Sequence, residues 1–437
     1  MRQIEGSIVA PQGYRAAGVF CDIKRLGTGK GSDRGPKRDL ALIVSDRLAV
    51  VAGMFTTNQV CAAPVKWCRE VVRRGRAQAI VANSGNANAC TGPQGLRDAR
   101  AMAREAARAL GLQPEHVLVA STGRIGVPLP MANVRSGIRQ AAGMLSSELA
   151  AAAAAAEAIM TSDTRPKQVA FEFEVGRRVV RLGGIAKGAG MIHPGMSPTG
   201  RRPASRPRHA TMLAFLTTDA AVERTALQSA LTEAVAASFN RITVDGDMST
   251  NDTVLLLANG CAGHEPLRRG DRAFARFEAV LAEACLQLAR MIVRDGEGVH
   301  RVVTVRVFGA RTPAEADAAA RAVANSALVK TSWHGGDPNW GRVMDALGYS
   351  AARVQEDKVD IGYAPPGGKV TVWSVRRGRP TGVPFARLCE AVAPAEFELH
   401  IRLNLGRAGA VLYAADLTET YVEFNKGNVN DPSSLGG

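Results

Sequence analysis

Aromatic residues are scarce: Phe, Tyr and Trp together make up 5% of the chain. Proteins that hold single-stranded nucleic acid use aromatic platforms on which bases stack, and so thin a supply provides none. Long apolar runs are also missing. The alanine series from Ala150 to Ala156 falls far short of the roughly 20 residues that cross a bilayer, and MRQIEGSIVAPQGYRAAGVF at the start holds no export-type apolar stretch. Neither membrane association nor export is expected. The seven cysteines (Cys21, Cys61, Cys68, Cys90, Cys261, Cys285, Cys389) are odd in number and scattered, with no CxxC pair. That pattern supports neither a disulfide framework nor a zinc site, and a reducing cytoplasm is the expected compartment. The histidines (His116, His193, His209, His264, His300, His334, His400) show no HExxH and no i, i+4 pair, so no metal and no histidine-based triad is expected. The glycines of RLGTGKGSDRG (25–35) lack the GKS or GKT that a Walker loop requires and read as a mobile basic loop. No repeat with a period of about 20 to 50 residues is present, which excludes a solenoid.

What the chain has is size, charge and mixed patterning. Its 437 residues imply two or more domains or one large layered α/β unit. The formal net charge is +15, but it is uneven. Residues 1–210 carry 31 Lys and Arg against 14 Asp and Glu, whereas residues 211–437 carry 24 against 26. Many of the arginines stand singly among alanines (Arg97, Arg100, Arg104, Arg108), as on a solvated helix face, and this argues against a nucleic-acid partner. Strands are predicted at 39–45, 48–57, 78–83 and 116–122. Helices are predicted at 98–111 and at 146–160, the second opened by capping serines. Alternation returns in VAFEFEVGRRVVRLGGIAKG. Beyond it the pattern gives helices at 225–238, 273–294 and 313–326. Strands are predicted at 253–260, 302–309, near 359–363 and 369–375, and from FELHIRLNLG to the end. Interleaved strands and helices predict an α/β or α+β fold, layered sheets covered by helices.

One seam stands out. RRPASRPRHATMLAFLTTDA (201–220) is Arg, Pro and small polar residues up to His209 and becomes core-like from Thr211. A threonine whose own α-amine is free carries a general base beside its hydroxyl. An internal threonine gains that amine only if the chain cuts itself: the Thr211 hydroxyl attacks the Ala210 carbonyl, the peptide shifts to an ester, and water releases two chains. A small residue before the nucleophile suits this chemistry, and Ala210 is small. Read from the residues alone, the same pair is also an ordinary strand or helix start.

KGAGMIHP (187–194) followed by ATMLAFLTTDA (210–220) closely resembles the ornithine acetyltransferases, the self-cleaving glutamate N-acetyltransferases of the cyclic arginine pathway. The resemblance runs along nearly the whole chain through GYRAAGVFCDIK, MFTTNQV (54–60), NSGNANACTG (83–92), STGRIG (121–126), MTSDTRPK (160–167), SFNRITVDGDMSTNDTVLLLANG (238–260), VRDGEG (293–298) and ALVKTSWHGGDPNWGR (327–342). It implies a precursor cut at Ala210–Thr211 into an α chain, 1–210, and a β chain, 211–437, assembling as an (αβ)2 heterotetramer. Thr211 is then the nucleophile of a ping-pong reaction that takes acetyl from N-acetylornithine and passes it to glutamate. Thr122 and Gly123 match the oxyanion hole, Thr161 and Lys187 match substrate-binding positions, and Glu297 matches the residue that meets the substrate's amino end. No bound cofactor is implied, and acetyl-CoA stays open as a second acetyl donor.

The chain departs from the family pattern twice. Thirteen residues, Ser197–His209, separate Met196 from Ala210, with Gly195 in place of the usual Asn. This insertion, with three prolines, four arginines and no large apolar residue, is expected to be exposed and mobile. At the C-terminus, Asn425 fits the family's Asn, but Asn430 falls where a Ser or Thr is expected and seven residues follow. The alternative reading is a paralogue, or an N-terminal nucleophile amidohydrolase, acting on another acylated amino acid.

Overall fold

The runs LALIV and QAIVAN are apolar without alternation because both faces of their sheet are covered. In the computed structural model, which describes residues 1–24, 37–201 and 212–426, Ala41, Ile43, Ile80 and Ala82 pack into one core while Leu40, Leu42, Ala79 and Val81 pack into another. Helices Ala63–Arg74 and Leu149–Ala158 contribute to the first core. Gly92–Leu110 and Met131–Gly143 contribute to the second. The alanine series has a steric reason: a Cβ at Gly18 would lie 2.0 Å from the Ala154 carbonyl oxygen, so helix and sheet approach where neither carries bulk.

This sheet has nine strands among the described residues. Eight run in the order Arg2–Gln3, Lys167–Val175, Arg178–Lys187, Leu213–Thr218, Thr253–Ala258, Leu40–Phe55, Arg76–Asn86 and Val117–Arg124, and Tyr14–Val19 pairs with Leu40–Phe55. It belongs to a compact unit formed by residues 1–240 and 247–292. A second unit, residues 241–246 and 293–426, is built on a sheet of seven strands among the described residues. In it Val302–Ala310 pairs parallel with Glu396–Arg402 and antiparallel with Ala408–Ala415. Its core gathers Val303, Val305, Val307, Phe397, Leu399, Ile401 and Ala316, Ala319, Ala320 and Ala324 of helix Pro313–Asn325. The fold is thus mixed α/β with helix-covered sheets, and among the described residues no helix is long and apolar enough to cross a membrane.

Several elements differ from the sequence pattern. The strands predicted at 39–45 and 48–57 are one strand, Leu40–Phe55, whose pairing with its neighbour shifts register between Val44 and Ala49. The polar Ser45, Asp46 and Arg47 look like a break and are absorbed by that irregularity. The serines do not cap the alanine helix. Glu148 stands at its N-cap without a side-chain bond, and Ser146 Oγ accepts the Glu148 N–H instead. Helices at Ala63–Arg74, Met131–Gly143, Ala327–His334, Trp340–Gly348 and Phe385–Val392 carried no signal strong enough to be read, and the chain after Ala415 forms a short helix, Glu419–Phe424. The glycine-rich stretch 25–35 lies outside the described residues. So does most of the insertion, although its first residue is fixed: Ser197 and Phe55 exchange two backbone hydrogen bonds, of 2.9 and 3.0 Å.

Leu213–Thr218 follows the seam directly and is wholly buried. It lies between Arg178–Lys187 and Thr253–Ala258, and the latter pairs in turn with Leu40–Phe55. Two strands from after the seam are therefore wedged between strands from before it. Any break between Arg201 and Met212 leaves pieces that share one sheet. A nicked chain is expected to elute as one particle on native size exclusion and to separate only in denaturant; separation in plain buffer would contradict this topology.

Candidate active site

In-register pairing places Lys187 opposite Leu213, two residues past Thr211, at the end of a strand running away from the site. Lys187 is buried, and its Nζ donates to the hydroxyl of Thr122, itself buried, at 3.1 Å. With a lone pair of Thr122 Oγ taken by the ammonium, the hydroxyl hydrogen is left to point at a different acceptor. Gly123 follows with φ +126°. A Cβ there would come within 2.4 Å of the Gly85 carbonyl carbon, so both the backbone angle and the neighbouring strand demand glycine. The asparagines of NSGNANACTG form the scaffold beneath. Ser121 Oγ donates to Asn83 Oδ1 (2.6 Å), and Asn86 Nδ2 donates to the carbonyls of Val127 and Pro128. From further along the chain, Asn251 Nδ2 reaches the carbonyls of Ala87 and Ser121. Carbonyls of the loops at Ala87 and at Val127 and Pro128, and of Ser121 at the end strand of the sheet, are thereby paired.

Two carboxylates that sequence reading passed over organise this region. Asp163 is buried; Oδ1 accepts Lys167 Nζ (2.6 Å) and the Gly188 N–H (2.7 Å), and Oδ2 accepts the Thr161 N–H (2.9 Å). Burial alone would raise its pKa, yet Lys167, Lys187 and the Gly188 amide outweigh burial and bring it from 3.8 to about 2. Thr161 and Lys187 are thus tied to one anion. Asp252 is the second. Its Oδ1 accepts the N–H of Met212, the residue after Thr211, at 2.5 Å, while its Oδ2 is buried without a hydrogen bond. Burial pushes this carboxyl well up, against the opposing pull of the Met212 amide and Lys187. Each lies inside a quoted motif, TSDT and STNDT, but the motif gives no hint of the distant amides they hold, Gly188 and Met212.

The second unit holds two more of the residues singled out by sequence. Asn425 Nδ2 donates to Glu297 Oε2 at 3.0 Å, so those two are brought together. The structure also assembles something the spacing gave no hint of: His300, His334 and Asp416 offer ligand-type atoms all within 4.8 Å of one another. Thr211, Ala210 and Asn430 lie outside the described residues.

The charge on Asp163 has a pH signature. A group with a depressed folded-state pKa stabilises the fold above its unfolded value, and that contribution is lost as pH falls through the folded one. The stability gap between wild type and Asp163→Asn is expected to be constant above about pH 5 and to close as pH falls towards 2. Denaturant melts across that range measure it, and a gap that does not change with pH would contradict the assignment.

The ArgJ family model matches residues 15–427. The arginine biosynthesis bifunctional protein ArgJ of Symbiobacterium thermophilum is 48% identical over 97% of this chain and 99% of its own. The glutamate N-acetyltransferase of Methanocaldococcus jannaschii is 41% identical over 97% and 99%. Among solved structures, the ornithine acetyltransferase of Mycobacterium tuberculosis complexed with ornithine is 41% identical, covering 45% of this chain and 99% of that one, with a TM-score of 0.40. Matched from Arg15 to Gly427 and sharing close to half its residues with a relative of the same length, this chain belongs to the ArgJ family.

Proposed function

We propose that this enzyme moves an acetyl group from N2-acetyl-L-ornithine to L-glutamate in arginine biosynthesis, through an acetyl-threonine intermediate formed after the chain cuts itself between Ala210 and Thr211. The names borne by its relatives supply the reaction class. The observation that carries the mechanism is the buried Thr122 hydroxyl, held by Lys187 beside Gly123 and next to the strand that follows Thr211.

The Thr211 α-amine, created by cleavage, takes the proton of its own hydroxyl as Oγ attacks the acetyl carbonyl. The oxyanion accepts hydrogen bonds from the Thr122 hydroxyl and the Gly123 amide, donors fixed before the charge develops. Collapse expels ornithine, whose amine takes the proton, and leaves acetyl on Thr211. The glutamate amine then attacks the ester carbonyl through the same oxyanion; its proton passes by way of the Thr211 α-amine to Oγ as the ester C–O bond breaks, which restores the hydroxyl and leaves the acetyl on glutamate. Lys187 positions Thr122, and Thr161 with Glu297 and Asn425 are assigned to substrate. The processed chains, 1–210 and 211–437, are proposed to form an (αβ)2 assembly in the cytoplasm.

Mass spectrometry of wild type is expected to give the two chains and no full-length species, whereas Thr211→Ala stays whole; an uncut, fully active wild type would contradict the reading. Thr122→Ala is expected to slow turnover by roughly ten- to a thousandfold with little change in KM, and an unchanged kcat would remove Thr122 from the mechanism.

Asp252 gives a second test. It holds the amide next to the amine that cleavage creates; burial disfavours its ionised form, but an ammonium formed beside it favours the carboxylate and is favoured by it in turn. Asp252→Asn keeps an oxygen for the Met212 amide but removes the charge. The amine pKa then falls, and the acidic limb of the kcat–pH profile moves to lower pH. An unmoved limb in a processed variant would show that Asp252 serves the backbone alone.

A further inference from the structure

We propose that His300, His334 and Asp416 form a binding site for a divalent transition-metal ion of the zinc class. Three distant chain segments supply it: the loop after helix Arg272–Arg294, the last residue of helix Ala327–His334, and the residue after strand Ala408–Ala415. Asp416 is buried at 3% exposure. Its Oδ1 accepts the backbone N–H of His300 at 3.0 Å, and this fixes Oδ2 towards His334. There Oδ2 and His334 Nδ1 stand 3.5 Å apart, both buried and neither hydrogen-bonded.

The partners of His334 make this arrangement informative. Its Nε2 lies 2.7 Å from Glu419 Oε2, so Nε2 carries the hydrogen and Glu419 accepts it. Nδ1 then faces a buried carboxylate oxygen with no hydrogen bond made by either atom. A cation satisfies both. Tetrahedral zinc with ligands at about 2.0–2.2 Å holds neighbouring ligand atoms about 3.3–3.6 Å apart, and the observed separation falls in that interval. An outer carboxylate orienting a histidine through its second nitrogen is the usual support of a metal-bound imidazole. The His300 ring lies over His334, centroids 5.1 Å apart, and is exposed, so an ion has a route in. Nearby Lys330 donates its ammonium to the Ala415 carbonyl and leaves Asp416 Oδ2 without a hydrogen bond. Two imidazoles and one carboxylate suit zinc or cobalt(II) and leave a fourth position for water. The ion clips the loop that carries Glu297 to the segment leading to Asn425, and the site stands on its own geometry whether or not the acetyl-transfer reading holds.

The test uses full-length protein stripped with a chelator and titrated with cobalt(II), followed by the visible ligand-field bands of low-coordinate cobalt and by the melting temperature. One equivalent is expected to bind, with the bands appearing and the melting temperature rising. His334→Ala and Asp416→Asn are expected to lose both effects. Should either variant fail to fold, Glu419→Ala decides: this exposed residue lies outside the core, and losing it is expected to weaken cobalt affinity by about 10–100-fold. Absence of the bands in wild type, or binding unchanged in all three variants, overturns the site and would leave His334 as a plain side-chain partner of Asp416 and Glu419.

Discussion

The burial of Leu213–Thr218 inside the nine-stranded sheet is the constraint on which the rest of the first unit depends. Leu213, Phe215 and Leu216 are completely enclosed, and burial of each such side chain stabilises by about 1.5–3 kcal/mol. The two buried threonines of the strand are satisfied, Thr217 by the Ile8 carbonyl and Thr218 by the Arg181 carbonyl, both at 2.7 Å. A strand held this firmly fixes the residue before it. Met212 has its amide on Asp252, and its carbonyl accepts the Thr253 N–H. Leu213 is thereby held opposite Lys187, whose ammonium donates to the Thr122 hydroxyl.

The two buried carboxyls near Lys187 are pushed in opposite directions: Lys167 and Lys187 hold Asp163 ionised against burial, whereas at Asp252 burial outweighs the Met212 amide and Lys187. Taking such groups out of water is costly unless each has partners. Asp163 has them in full, while Asp252 retains one buried oxygen without a hydrogen bond. That unsatisfied oxygen belongs to the carboxyl that holds the Met212 amide, as expected where function rather than stability sets the arrangement.

Much of this was legible in the sequence, and the limits were physical. Central strands announced themselves because two-sided burial demands unbroken apolar runs. Thr122, Gly123, Lys187 and Glu297 could be named because they sit in long, ordered strings. Asp163 and Asp252 sit in the same strings but gain their roles from partners across the sheet, Gly188 and Met212, and no local spacing encodes a register. His300, His334 and Asp416 are separated by 34 and 82 residues. Scanning for paired histidines at helical spacing is blind to such a cluster, because only the meeting of a helix end, a strand end and a loop creates it. The serines before the alanine helix mislead for the opposite reason: they have capping chemistry, but the helix begins beyond their reach, at Leu149.

The central claim is that Thr211, freed at a chain terminus, carries the acetyl group between donor and acceptor. Incubating the enzyme with N-acetylornithine in the absence of glutamate, quenching in acid and mapping the peptides tests it most directly. The account predicts an acetyl group on Thr211 at the N-terminus of the 211–437 chain, discharged when glutamate is added. Acetyl on another residue, or sustained turnover with Thr211 never acetylated, would contradict it.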